Sequence, residues 1–171
     1  MDALLSSLIP TPLHPAVVHL PMALAVLLPI FAIGAMIFIA RGSRPVAAWG
    51  ITTALVATLA LSAWVSLETG EDQEEKVERI VPEVAFEAHE EAANLFLTLT
   101  VVVLGVSLVG FAPRQIGTGA RLIATVGTVV LLGAGWNVGH SGGALVYTHG
   151  AAAAYATPSA VRSDSSKKDE N

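Results

Sequence analysis

From Pro21 to Ala40 the chain runs for twenty residues without a charged side chain. A helix of that length crosses a hydrocarbon core of about 30 Å. Lipid offers the backbone no hydrogen bonds, so a spanning segment must satisfy its own. Three further apolar stretches follow, at about Val46–Leu67, from about Glu83 to Phe111, and from about Ala120 to His140 or beyond. Only 13% of the residues are charged and 53% are hydrophobic, whereas soluble domains carry about 25% charge. The expected fold is all-α, an integral membrane four-helix bundle. Residues 1–150 form one four-span membrane domain and residues 151–171 a disordered polar tail.

Local signals divide the spans. Residues 4–13 read as an apolar lead-in at the membrane surface, broken by Pro10 and Pro12, with no basic region of the kind that opens a signal peptide. Pro15 suits a first helical position; Pro21 and Pro29 each remove a helix hydrogen bond and predict kinks. Arg41-Gly-Ser-Arg44-Pro45 is a basic turn. A second basic turn runs from Ala112-Pro113-Arg114 through Gly117, Gly119 and Arg121. Trp49 and Trp64, near the two ends of the second span, are expected to anchor at the interfaces. The small and hydroxyl residues between them suit close helix contacts. Residues 68–82 form a polar connection with a short surface helix closed by Pro82.

Four spans put both termini on one side. The turns after the first and third spans hold Arg41, Arg44, Arg114 and Arg121 and no acid, so positive-inside logic makes them cytoplasmic. Both termini and the acidic 68–91 region then face outward, into the periplasm of a bacterium, and the expected location is the bacterial inner membrane. His14 and His19 open the first helix, His89 precedes the apolar part of the third, and His140 and His149 close the fourth. All five histidines therefore fall on the outer side.

Helical spacing of about 100° per residue gives each one a direction. In the third helix Glu83, Glu87, Glu90 and Glu91 share a solvent stripe, which turns His89 inward with Phe86, Ala93, Phe96 and Thr100. In the fourth, His140 shares a face with Gly133, Trp136, Gly143 and Tyr147, also taken as inward. Gly135, Gly139, Gly142 and Gly143 let a neighbouring backbone approach. His149 joins a common site only if Ser141-Gly-Gly143 breaks the helix. His14 and His19 lie about 140° apart on an ideal helix and border one wide site.

Several motifs resemble a known pattern. Leu13-His-Pro-Ala-Val-Val-His-Leu-Pro21 is similar to a signature of the bacterial membrane family called domain of unknown function 2231. Thr69-Gly-Glu-Asp-Gln-Glu-Glu75, His89-Glu90 and Gly142-Gly-Ala-Leu-Val-Tyr-Thr-His-Gly150 resemble it too. Leu20 departs from the phenylalanine usual after the second histidine, an apolar-for-apolar change. The resemblance implies a small four-helix membrane protein whose histidines recur in its motifs, and it supplies no reaction.

With no cysteine in the chain, disulfides, thiolate ligands, cysteine-held iron–sulfur clusters and thioether-bound haem are excluded. No basic patch or nucleic-acid motif is present, and no Ser/His/Asp, Walker or dinucleotide pattern stands in a usable context. The functional expectation is an outward-facing histidine cluster that binds a b-type haem or a transition metal ion for electron transfer. The haem would take His89 and His140 as axial ligands; a metal ion would draw on His14, His19, His89, His140 and His149, with Glu90 nearby. Partners would be the lipid bilayer and a membrane redox complex or periplasmic electron carrier, with no nucleic acid. Three other readings stay open: histidines that only cap helix ends, a structural or assembly subunit held through the glycine face of the fourth helix, and a sensor whose histidines titrate near 6.5.

Overall fold

The computed structural model describes residues 13–72 and 74–155, and all regular structure among them is helical. A one-turn helix α1 (His14–Val17) leads after Val18 into α2 (His19–Ala40). Then come α3 (Pro45–Glu71), the one-turn α4 (Glu74–Val77), α5 (Glu83–Val109), α6 (Arg114–Tyr147) and a 3-10 helix (Ala151–Tyr155). Four segments are long and apolar enough to cross a membrane: His14–Ala40, α3, α5 and α6. Both α2 and α5 pack on α3 and on α6, so α2 and α5 stand on a diagonal of the bundle.

The distribution of side chains is that of a bundle in lipid. Thr52, Thr53, Ser62, Ser66, Thr69, Thr100, Ser107 and Thr128 are buried, while Ile30, Ile116 and Ile123 are 65%, 68% and 63% exposed. Lipid tails are as apolar as isoleucine, so nothing drives large aliphatic groups inward. Close packing of small residues and hydrogen bonds between helices hold the bundle instead. The interior apolar layer is Leu24, Leu28, Val56, Leu59, Phe96 and Leu131. Gly127 and Gly135 admit Val103 and Phe96, whose side chains come within 2.7 and 3.3 Å of where a Cβ would sit.

Helix lengths place the membrane. Helices α3 and α5 have 27 residues each and α6 has 34. At about 1.5 Å per residue they measure roughly 40 and 51 Å, against a hydrocarbon core of about 30 Å. Residues 41–44 and 110–113 make tight connections at one end, so the excess length projects at the other. There Val81, Leu145 and Ala151 form a small separate core with Phe86 and Ala85.

The tight end has its own lock. Trp49 is fully buried and its indole N–H donates to the Ser107 carbonyl at 2.9 Å. The Thr53 and Ser107 hydroxyls bond at 2.7 Å. Arg121, also buried, donates to the Gly110 carbonyl at the end of α5 and to Thr118 Oγ1. Arg121 thus satisfies the Gly110 carbonyl just past the C-terminus of α5, and the Ser107 carbonyl accepts the Gly110 N–H at 3.0 Å besides the indole.

Several sequence expectations are corrected here. Helix α3 continues to Glu71 rather than stopping near Leu67, because it is still helical where it leaves the membrane. Helix α6 begins at Arg114 and not at Ala120, so Gly117, Gly119 and Arg121 are helical and not part of a turn. Pro113, with extended backbone at the N-cap, is the true boundary. Trp49 is no interface anchor but part of the core, whereas Trp64 is half exposed. Helix α2 is assigned without a break through Pro21 and Pro29, and a break that the sequence reading did not place lies earlier, at Val18. The surface helix before Pro82 is the single turn α4. Of the polar tail, residues 151–155 form the 3-10 helix with Ala151 buried. The rest of the tail and the apolar lead-in lie outside the described residues.

Candidate functional site

Alternating helix directions bring the start of α1, the end of α3, the start of α5 and the end of α6 to the projecting end of the bundle. Two histidines there are held in similar seats. His14 Nδ1 lies 2.8 Å from the Ser66 carbonyl oxygen and 3.4 Å from Thr69 Oγ1. A carbonyl only accepts, so Nδ1 carries the hydrogen and donates it. The His14 ring rests over Gly70, where a Cβ would stand 3.2 Å from Cε1. Across the bundle, His89 Nδ1 lies 2.9 Å from Ser141 Oγ. The Ser141 hydroxyl donates its one hydrogen to the Val138 carbonyl at 3.1 Å. The serine oxygen is therefore the acceptor and His89 Nδ1 the donor. The His89 ring rests over Gly142, where a Cβ would stand 3.0 Å from Cε1.

Each seat is thus a hydroxyl residue followed by glycine on one of the helices flanking the diagonal: Thr69-Gly70 on α3 and Ser141-Gly142 on α6. Both imidazoles are half-buried at the projecting end of the bundle. With Nδ1 protonated, the lone pair of a neutral ring is on Nε2. Neither Nε2 has a hydrogen-bond partner among the described residues. Histidines that bind metals are prepared in this way, one ring N–H fixed by a carbonyl or hydroxyl and the other nitrogen free. One further polar group belongs to this region. Ser66, whose carbonyl holds His14, is buried at 8% exposure, and its hydroxyl has no hydrogen-bond partner among the described residues.

The remaining histidines take different positions. His19 is exposed, and its Nδ1 lies 3.3 Å from the Ala16 carbonyl of its own chain turn. The inward direction expected for His140 is corrected: it is exposed, on a face with Trp136 and Tyr147, themselves 76% and 90% exposed. The inner face of α6 carries Leu131, Val138, Ser141, Gly142 and Leu145. Helix α6 does not break at Ser141-Gly-Gly143, the condition for His149 to join the others; His149 lies just past the helix end. Among the described residues no group of three His, Asp or Glu side chains is placed to hold a metal ion. His14 and His89 are the two seated on hydroxyl–glycine pairs of the neighbouring helices, and His19, His140 and His149 have no such seat among the described residues. The glutamate stripe of α5 is exposed, and its inward face, with Phe96 and Thr100 buried, is the expected one.

Sequence reasoning missed Ser66, Thr69 and Ser141 as groups that position the histidines. The signal was the repeated hydroxyl–glycine pair at the depth of His14 and His89. Of the glycines expected to let a neighbour approach, Gly135 packs on Ala25 and Phe96, Gly139 on Met22 and Gly142 on His89, while a Cβ on Gly143 would meet nothing within 4 Å.

No curated protein and no solved structure matches the chain. The pattern of a family described as "Predicted membrane protein (DUF2231)" matches residues 10–154, a stretch that includes all four spans and both histidine seats. With that match over most of its length, and with helices whose outer surfaces suit lipid, the chain belongs to this family of membrane proteins.

Proposed function

We propose that the protein holds a redox metal centre between His14 and His89 and transfers electrons at the outer face of the bacterial inner membrane. The centre is the iron of a b-type haem or a single transition metal ion. One observation carries the reading: two half-buried imidazoles, at the start of α1 and on α5, each have Nδ1 hydrogen-bonded and Nε2 without a partner among the described residues. A haem takes two axial imidazoles from facing helices of a bundle. Copper, iron, zinc and nickel ions all accept imidazole nitrogen. His140, exposed on the outside of α6, gives way to His14 as the partner of His89. The outward assignment rests on the arginines Arg41, Arg44 and Arg114 at the opposite end. Acids predominate on the projecting turns around the site, which favours a basic electron carrier or membrane redox complex as partner.

The test is an absorption spectrum of the detergent-purified protein, oxidised and then reduced, with metal analysis of the same sample. The expected result is either a Soret band with resolved α and β bands on reduction, or about one metal per chain. Replacing both His14 and His89 by alanine should abolish it. A wild-type protein with neither signal, or a double variant that keeps the signal, overturns the proposal.

A further inference from the structure

Arg121 is the only charged side chain buried among the described residues, at 6% exposure. A guanidinium has five N–H donors and no acceptor. One nitrogen donates to the Gly110 carbonyl and another to Thr118 Oγ1 at 3.1 Å, while the buried Nε has no hydrogen-bond partner among the described residues. Both partners are neutral. Every acid among the described residues lies between Glu68 and Glu91, at the opposite end of the bundle. Charges buried in a membrane bundle are costly, and where they occur they pair or mark a binding site.

This position does not need a charge to hold a carbonyl. Each half of the bundle is a helical hairpin, α2–α3 and α5–α6, whose second helix ends in a histidine seat. Counted back from the seat glycines Gly70 and Gly142, the fully buried Leu59 and Leu131 coincide, and so do Trp49 and Arg121. Trp49 binds the Ser107 carbonyl with a neutral indole N–H. Arg121 does comparable work on Gly110 and brings a positive charge in addition.

That charge is not alone. Arg114, Thr118 and Arg121 fall at i, i+4 and i+7, on one stripe of α6. Arg114 and Thr118 are exposed, and Thr118 Oγ1 links the stripe by donating to the Arg114 carbonyl and accepting from Arg121. The stripe begins at the N-terminus of α6, which has no side-chain cap and carries the positive end of the helix dipole. Val46, Val109 and Ile116, exposed aliphatic groups that suit lipid, stand at the same end of the bundle. We infer that the arginine end binds the phosphate of an anionic phospholipid, with Arg121 as its buried anchor and Arg114 and the first amides of α6 as its outer contacts. Arginine pairs with phosphate through two parallel N–H bonds, and basic pockets between membrane helices take anionic headgroups. The inference does not depend on the histidines at the other end.

The experiment titrates the purified full-length protein in non-ionic detergent with phosphatidylglycerol, phosphatidylethanolamine and inorganic phosphate, and counts bound molecules by native mass spectrometry. Wild type should bind about one phosphatidylglycerol per chain, about tenfold more tightly than phosphatidylethanolamine. Arg121→Gln, which keeps a donor for Gly110 and loses the charge, should abolish that preference, and Arg121→Lys should keep part of it. Should Arg121→Gln fail to fold, the exposed Arg114→Gln still tests the stripe, with an expected loss of about threefold. Arg44→Gln, in the other basic connection, should bind as wild type does. Equal losses in Arg44→Gln and Arg114→Gln would mean diffuse attraction and overturn the site. Wild type without the preference, or Arg121→Gln that keeps it, overturns the inference outright. Inorganic phosphate that displaces phosphatidylglycerol at equal concentration overturns lipid as the source of the phosphate.

Discussion

Gly142 has no side chain where His89 has its ring. A Cβ there would meet Cε1 at 3.0 Å, closer than ordinary van der Waals contact. Gly142→Ala should tilt the imidazole off Ser141 while leaving the helices in place. Groups that orient a ligand histidine are typically worth about 10–100-fold in metal affinity, and a loss in that range is expected. Competitive metal titration of the purified variant would check it; wild-type affinity would mean that the ring does not depend on its seat. Ser141→Ala should act in the same direction by removing the acceptor of His89 Nδ1–H, and Ser141→Thr should largely preserve affinity. His19 shows what a histidine without such a role looks like: exposed, and bonded within its own turn of chain. Sequence spacing alone does not separate these cases, because the acceptors of His14 and His89 lie 52 residues away along the chain.

Elements were legible where charge marked their outer side. In α5 the glutamates fix the solvent face, so His89, Phe96 and Thr100 follow on the inner one. From Leu122 to Val161 the chain has no charged residue, and large aromatic groups give the wrong orientation for α6 because lipid accepts them. Glycines were ambiguous for a related reason. Gly117 and Gly119 both resemble turn residues, yet both lie in α6. A Cβ on Gly117 would collide with the Ala112 carbonyl oxygen, whereas one on Gly119 meets nothing within 4 Å. The obstacle at Gly117 is backbone and cannot rotate away. Gly117→Ala should therefore cost at least about 2 kcal/mol, as overpacking does. Gly119→Ala should be neutral or stabilise by up to about 1 kcal/mol. Thermal unfolding of the two variants in the same detergent would compare them, and equal midpoints would refute the tight turn at Ala112.

At the scale of the whole molecule, the fold separates charge between its ends. Arg41, Arg44 and Arg114 are exposed beside the tight connections, and the acids of residues 68–91 lie at the projecting end with His14 and His89. The proposed topology, by positive-inside bias, has the arginine end in the cytoplasm. Since the chain has no cysteine, single replacements report sidedness without background. Glu75→Cys, on exposed α4, should react with a membrane-impermeant maleimide on intact spheroplasts. Ser43→Cys, in the connection after α2, should react only after lysis. The opposite pattern would move the histidine pair to the cytoplasmic face. The hydrogen bonds that set both imidazoles are internal to the bundle and would survive that result, but a periplasmic electron carrier would no longer be a possible partner.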